Sequence, residues 1–308
     1  MQLSVPVFRK RLDIFGLPVD FVSSAPALLD AVGRAYGDWP SGGADEAARI
    51  EIRLDLGDVG ETEEDIRVDG PRLTLRGGGG VGEADAGTGK AWATVASRLV
   101  EDPAGLAARV TDTLLLFLLT RADRTPLHAA GVMLGRTAVA LAGPSGSGKS
   151  TLTLAAMERG LPILSDDTLY IQLRPSLTVW GFRRPLHVFP QDAPRFTQGL
   201  RSRGGKLKAV VPAPRAAFAR SGAERVAVVL LERGESLALA RLDPEETVAG
   251  LARLEPGFDL LARQSAEAAR ALAAGGGWRL TLSRDPGAAI DFLRERLPLE
   301  GLAFEREG

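Results

Sequence analysis

The eight residues Gly143-Pro144-Ser145-Gly146-Ser147-Gly148-Lys149-Ser150 complete the pattern G-x-x-x-x-G-K-S. Short patterns recur by chance, and the bland reading is a glycine-rich turn with no ligand. The context argues otherwise, because an apolar run over residues 138–141 reads as a strand before the loop and residues 150–159 read as a helix after it. A strand, a tight loop and a helix in that order commit this part of the chain to an α/β architecture. The glycines let backbone N–H groups curl around phosphate oxygens, and the helix start adds its positive end. In such a P-loop, Lys149 reaches the β- and γ-phosphates and the Ser150 hydroxyl reaches Mg²⁺. Gly143, Ser145, Gly146, Ser147, Gly148 and Thr151 complete the cradle, so ATP and Mg²⁺ are the expected cofactors. Gly87-Thr88-Gly89-Lys90 looks like the end of a second such loop. There Ala84 stands where the first glycine belongs and Ala91 where the hydroxyl belongs, which makes it a solvated loop.

Ser165-Asp166-Asp167 follows the next strand-like run, LPIL. A helix of about ten residues carries the chain roughly 15 Å away from the phosphates. A strand at about 3.3 Å per residue brings it back. The right-handed crossover then lays the two strands parallel, with both carboxyl ends at one edge of the sheet. Both carboxylates are expected beside the phosphates, although aspartate pairs at strand ends commonly serve as turn formers. His128 opens the strand-like run before the loop strand, and the two runs join through the turn Gly135-Arg136. Antiparallel pairing would return His128 to the loop end. A lone histidine is more often a satisfied strand-end residue.

Composition narrows the chemistry. The chain has 308 residues, no cysteine and two histidines, His128 and His187, which excludes disulfides, thiolate catalysis and multi-histidine metal sites. Its net charge of −1 removes a whole-chain footprint for nucleic acid. The start of the chain meets Arg9, Lys10 and Arg11 before an apolar core can develop, so it does not read as a secretory signal. The apolar run over residues 114–119 is too short to span a bilayer, which needs roughly 20 residues. A cytoplasmic protein with no membrane or nucleic-acid partner is expected, and self-association stays open.

Length favours two units. Residues 1–96 read as a small α+β domain: two strands around Gly16, a helix near residues 27–36 with a serine cap, an alternating strand at residues 50–56 and a hairpin at Asp69-Gly70. Gly77, Gly80 and the stretch that follows read as loop. Residues 97–308 read as the nucleotide-binding domain, opened by a helix from Asp102-Pro103 to about Arg121. Further strands, a capping box at Asp243–Glu246 and a helix opened by Asp285-Pro286 complete it.

Residues 127–171 resemble the catalytic core of the HPr kinase/phosphorylase family, and most closely the smaller HPr-kinase-like proteins of peptide-modification gene clusters. The shared features are the His128-small-small opening, the hairpin into the P-loop and the Asp166-Asp167 pair after the next strand. The resemblance implies a P-loop kinase core with a mixed sheet flanked by helices. It also implies that Asp166 is the base on an acceptor hydroxyl, Asp167 helps hold Mg²⁺, and His128 lies in the active site with Lys149. The chain departs from the family at Thr151, where an acidic residue is usual, and it lacks the family's E-I-R-G-like run. These departures remove the support for phosphorolysis and for the HPr protein as substrate, and both stay open.

Residues 193–223 hold Arg195, Arg201, Arg203, Lys206, Lys208, Arg215 and Arg220 and no acid. Most read as a solvated loop, with Arg203, Lys206 or Lys208 as candidates to fold over a phosphate. His187 reads as structural. The expected activity is ATP-dependent phosphoryl transfer to a hydroxyl of a peptide, protein or small molecule. The alternative is a P-loop nucleotide-binding or ATPase regulatory module without kinase activity. A transporter-type ATPase is disfavoured because the L-S-G-G-Q signature is missing.

Overall fold

The computed structural model describes residues 6–37, 39–42, 49–203, 205–252 and 261–298, and the side chains of Thr197, Gln198 and residues 201–203 are excepted. The chain is a mixed α/β protein that divides into two compact units, residues 1–123 and 124–308.

In the first unit, β1 (Phe8–Ile14) and β2 (Leu17–Ser23) form a hairpin whose turn residues Phe15 and Gly16 both take positive φ, 56° and 69°. Helix α1 (Pro26–Tyr36) carries the chain to β3 (Ile50–Gly57), which pairs parallel to β2. The expected serine cap is not made. Ala25 occupies the cap position, and the Ser23 hydroxyl accepts from the Ala25 N–H instead. The meander β4 (Asp65–Asp69), β5 (Arg72–Gly77), β6 (Gly80–Asp85) and β7 (Lys90–Ala96) completes a sheet of order β1-β2-β3-β7-β6-β5-β4. The β4–β5 turn is Gly70-Pro71, one residue later than expected. Strand β6 stands where the sequence read loop, and β7 follows it in a run for which the sequence reading named no element. The glycines of β6 give little local signal, and pairing of β6 with β5 and of β7 with β3 supplies the order. Gly87-Thr88-Gly89 is only the turn between them, capped by the Asp85 carboxylate.

A helical run follows: α2 (Pro103–Leu106), a π-helical segment (Ala107–Thr111) and α3 (Asp112–Arg121). Asp102 caps it through the Gly105 N–H, as the Asp-Pro pair predicts. The run is long and apolar enough to cross a bilayer, and more than half of it is buried. Leu106, Val110, Leu114 and Leu115 are fully buried. Tyr36 Oη bonds Thr111 Oγ1 at 2.7 Å and Asp112 Oδ1 at 2.5 Å, tying the run to α1. This packing places the helix with the first unit, so the division falls after it, whereas the sequence reading put the boundary at residues 96/97.

In the second unit, β8 (Thr125–Leu127), β12 (Leu169–Gln172) and β13 (Thr178–Gly181) form a small sheet. The main sheet holds β9 (Ala129–Leu134), β10 (Thr137–Ala142), β11 (Ile163–Ser165), β17 (Arg225–Arg233), β18 (Ala238–Leu242) and β19 (Gly277–Leu282). Its order is β11-β9-β10-β17-β19-β18. A third sheet joins β14 (Leu186–Val188), β15 (Leu200–Arg203) and β16 (Lys206–Val211) in the order β14-β16-β15. This hairpin occupies the segment read as a basic loop.

Strand β10 is buried at every position because both sheet faces are covered. Val139 and Leu141 face a core closed by α4 (Lys149–Glu158), α7 (Pro286–Arg296) and the third sheet. Ala138, Ala140 and Ala142 face a core closed by α5 (Pro244–Ala252), α6 (Ala262–Ala273) and the small sheet. The capping box forms as expected: Asp243 and Glu246 exchange side-chain to backbone hydrogen bonds.

Candidate active site

Strands β9 and β10 pair antiparallel with Ala129 opposite Ala142, so His128 lies beside the start of the glycine-rich loop. The chain then runs through α4 to β11, which is parallel to β10 with β9 between them. From β11 it crosses to β17 on the other side of β10, parallel to it. The strand order therefore reverses around β10. Open α/β sheets bind ligands outside the carboxyl ends of their strands at such a reversal.

The loop at that point takes the conformation its glycines allow. Gly146 and Gly148 have φ of 87° and 110°, a region that side chains rarely adopt. Lys149 opens α4, is 7% exposed, and turns its Nζ back to the Gly143 carbonyl at 2.6 Å and the Pro144 carbonyl at 3.3 Å. The Ser150 hydroxyl donates to the Asp166 carbonyl at 3.4 Å. Ser147 Oγ is buried with no hydrogen-bond partner among the described residues.

A cleft of about 200 Å³ lies over this loop. It is lined by His128, Ser145, Gly146, Gly148, Lys149, Ser150, Thr151 and Asp167 among the anticipated residues. Gly143 and Ser147 belong to the loop but not to the lining. The Asp pair is split. Asp167 lines the cleft, with Oδ1 3.7 Å from His128 Nδ1, and its side chain is 35% exposed. Asp166 is 5% exposed, is absent from the lining, and accepts the His187 N–H on Oδ2 at 2.8 Å.

The third sheet forms one wall. Lys208 lines the cleft, donates to the His187 carbonyl at 3.3 Å and sits 4.5 Å over the Phe189 ring. Lys206 Nζ donates to Ser145 Oγ at 3.1 Å. Arg195, Arg215 and Arg220 are exposed, while Gly204 and the Arg203 side chain lie outside the described residues. Phe189, Gln191, Asp192 and Arg233 also line the cleft, and none of these was anticipated from sequence. Asp192 accepts from Thr151 Oγ1 at 2.9 Å, which brings a carboxylate beside the helix start. Arg233 is the last residue of β17 and donates to the Gly146 carbonyl at 3.3 Å. Its position at the end of an apolar strand was a usable signal, whereas nothing in the run Phe189–Asp192 marks it. Among the described residues, no group of three or more His, Asp or Glu could hold a metal ion by side chains alone.

No known family's sequence pattern matches this chain, and no curated protein is similar to it. Among solved structures, the chain is similar to the HPr(Ser) kinase/phosphatase from Coxiella burnetii. That likeness has a TM-score of 0.25 and 18% identity over 50% of this chain and all of the other.

Proposed function

We propose that the protein is an ATP-dependent kinase that transfers the γ-phosphoryl group to a hydroxyl acceptor. The observation that carries this reading is one cleft, at the reversal of strand order, that holds the Lys149 ammonium, the Ser150 hydroxyl and the His128–Asp167 pair. The loop suits a polyphosphate: two glycines at positive φ, and a lysine whose carbonyl contacts a phosphate can replace. Ser150 and Asp192 offer hard oxygen donors on the helix side, the kind Mg²⁺ takes together with phosphate oxygens and water. When bound, Mg²⁺ would offset charge on the phosphates.

In this reading Lys149 offsets charge on the β- and γ-phosphates. Asp167 accepts the proton of the acceptor hydroxyl, and His128 orients its Oδ1. Asp166 does not take the base role that the resemblance implies, because its carboxylate is buried and engaged by the His187 N–H. It acts instead as an anchor for the wall that starts at β14.

The test is ATP turnover by the full chain, with labelled phosphate followed into hydroxyl-bearing peptides and small molecules. Lys149→Ala should abolish transfer and sharply weaken ATP binding, since it removes the charge facing the phosphates. Normal turnover in that variant would remove the loop from the reaction.

A further inference from the structure

The kinase reading uses Lys149, Ser150, His128 and Asp167 and leaves the third sheet as a wall. That wall is strongly basic. The chain holds 38 basic and 39 acidic residues, yet residues 193–223 contain seven of the basic ones and none of the acids. Strand register gathers four of the seven. In the β15–β16 hairpin, Arg201 stands opposite Lys208 and Arg203 opposite Lys206. Like charges at directly opposite positions of an antiparallel pair are unfavourable, so this register costs stability. Positions two apart on a strand share a face, which puts Lys206 and Lys208 on one side, about 7 Å apart.

That side meets the cleft. The half-buried Lys208 lines it, and the exposed Lys206 reaches Ser145, a lining residue of the loop. The acids of the lining stand at other walls, Asp192 beside Thr151 of α4 and Asp167 beside His128. In the kinase reading, Lys149 and Mg²⁺ already offset the charge of a bound triphosphate. The basic hairpin is then left for the other substrate.

Resting on the kinase reading, we propose that the hydroxyl acceptor is a serine or threonine within an acidic peptide segment, whose carboxylates are held by Lys206 and Lys208 of the β15–β16 hairpin. An extended peptide repeats its side chains on one face about every 7 Å, the spacing of these two lysines. A nucleic acid suits the wall less, because single strands are held by stacking on aromatic faces. Among the described residues, the one Phe, Tyr or Trp ring of the lining is Phe189, and Lys208 already lies 4.5 Å over it. In the transfer, the acceptor oxygen bonds the γ-phosphorus as the bond from that phosphorus to ADP breaks. ADP leaves with the electron pair, and the hydroxyl proton passes to Asp167.

The experiment follows labelled phosphate from Mg²⁺–ATP into peptides with one fixed serine or threonine in otherwise random sequence. Matched peptides with Asp/Glu or Asn/Gln flanks then give kcat and KM for wild type, Lys206→Gln, Lys208→Gln and Lys206→Arg. The full chain should enrich acids around the phosphorylated residue. It should prefer the acidic peptide about 10-fold in kcat/KM, mainly through KM and less so at high salt, since half-exposed charge pairs each contribute a few-fold. Each glutamine variant should cut that preference about 2- to 5-fold, and Lys206→Arg should keep it. The ratio compares two substrates on one preparation, so a loss of folded protein does not move it. A preference for the amide peptide, or one that both glutamine variants leave intact, overturns the proposal. Transfer to an oligonucleotide hydroxyl or to uncharged small-molecule hydroxyls, with none to peptides, overturns it and keeps the kinase reading. No transfer to any acceptor removes the kinase reading itself, and the proposal with it.

Discussion

The Asp166 carboxylate accepts the backbone N–H of His187 at 2.8 Å, while the next residue, Asp167, presents its carboxylate to His128 across the cleft. Two adjacent acids of one turn thus do different things. One is buried and closes the wall. The other is half-buried and lines the cleft.

This division makes the two alanine variants separable. Asp166→Ala leaves the His187 N–H without its acceptor, a loss of about 1–3 kcal/mol. In a unit of this size that should lower the melting temperature by several degrees, at roughly 2–4 °C per kcal/mol. Asp167→Ala should leave the melting temperature nearly unchanged and lower the transfer rate by about 10² to 10⁴-fold, the contribution of a positioned base. Thermal unfolding and kcat on the same preparations check both. The reverse pattern would return the base role to Asp166.

If the imidazole orients Asp167, as the proposed function holds, His128→Ala should lower the rate roughly ten- to a few hundredfold with little change in melting temperature. A strand-end histidine with only a structural duty predicts the opposite: a less stable protein whose folded fraction transfers phosphate normally.

In the first unit, the fully buried Asp20 is bound by Arg11 Nε at 2.6 Å and by Arg9 at 2.5 Å. The hydrogen bond from Arg11 outweighs desolvation and, with the charge of Arg9, holds the Asp20 carboxyl below the ordinary aspartate range. A depressed carboxyl contributes stability that is complete above its unfolded value, about pH 4, and is lost as pH falls through the folded value. Asp20→Asn should therefore lower the stability of this unit at pH 7 by about 2 kcal/mol, with a difference from wild type that shrinks as pH falls below about 4. Denaturant unfolding at pH 7 and at a series of values below pH 4, followed by hydrogen exchange in β1 and β2, measures it. An equal loss throughout would mean that Asp20 acts through packing alone.

What the sequence determined by itself is local. The apolar run before Gly143, the glycines that need positive φ and the helix after Lys149 specify a strand–loop–helix unit within a few residues. The turn at Gly135-Arg136 returns His128 to that loop, and the caps at Asp102, Asp243 and Asp285 start their helices where the pattern says. Each of these rests on contacts between residues near one another in the chain, so spacing alone encodes them. Strands β6, β15 and β16 were invisible because glycine-rich or basic segments become strands only when a neighbour supplies the hydrogen bonds. Which aspartate faces the cleft was likewise settled by the tertiary structure, where β14 brings the His187 N–H to Asp166. Asp192 and Arg233 reach the loop from elements far along the chain, and only the packing of the third sheet and the placing of β17 beside β10 put them there.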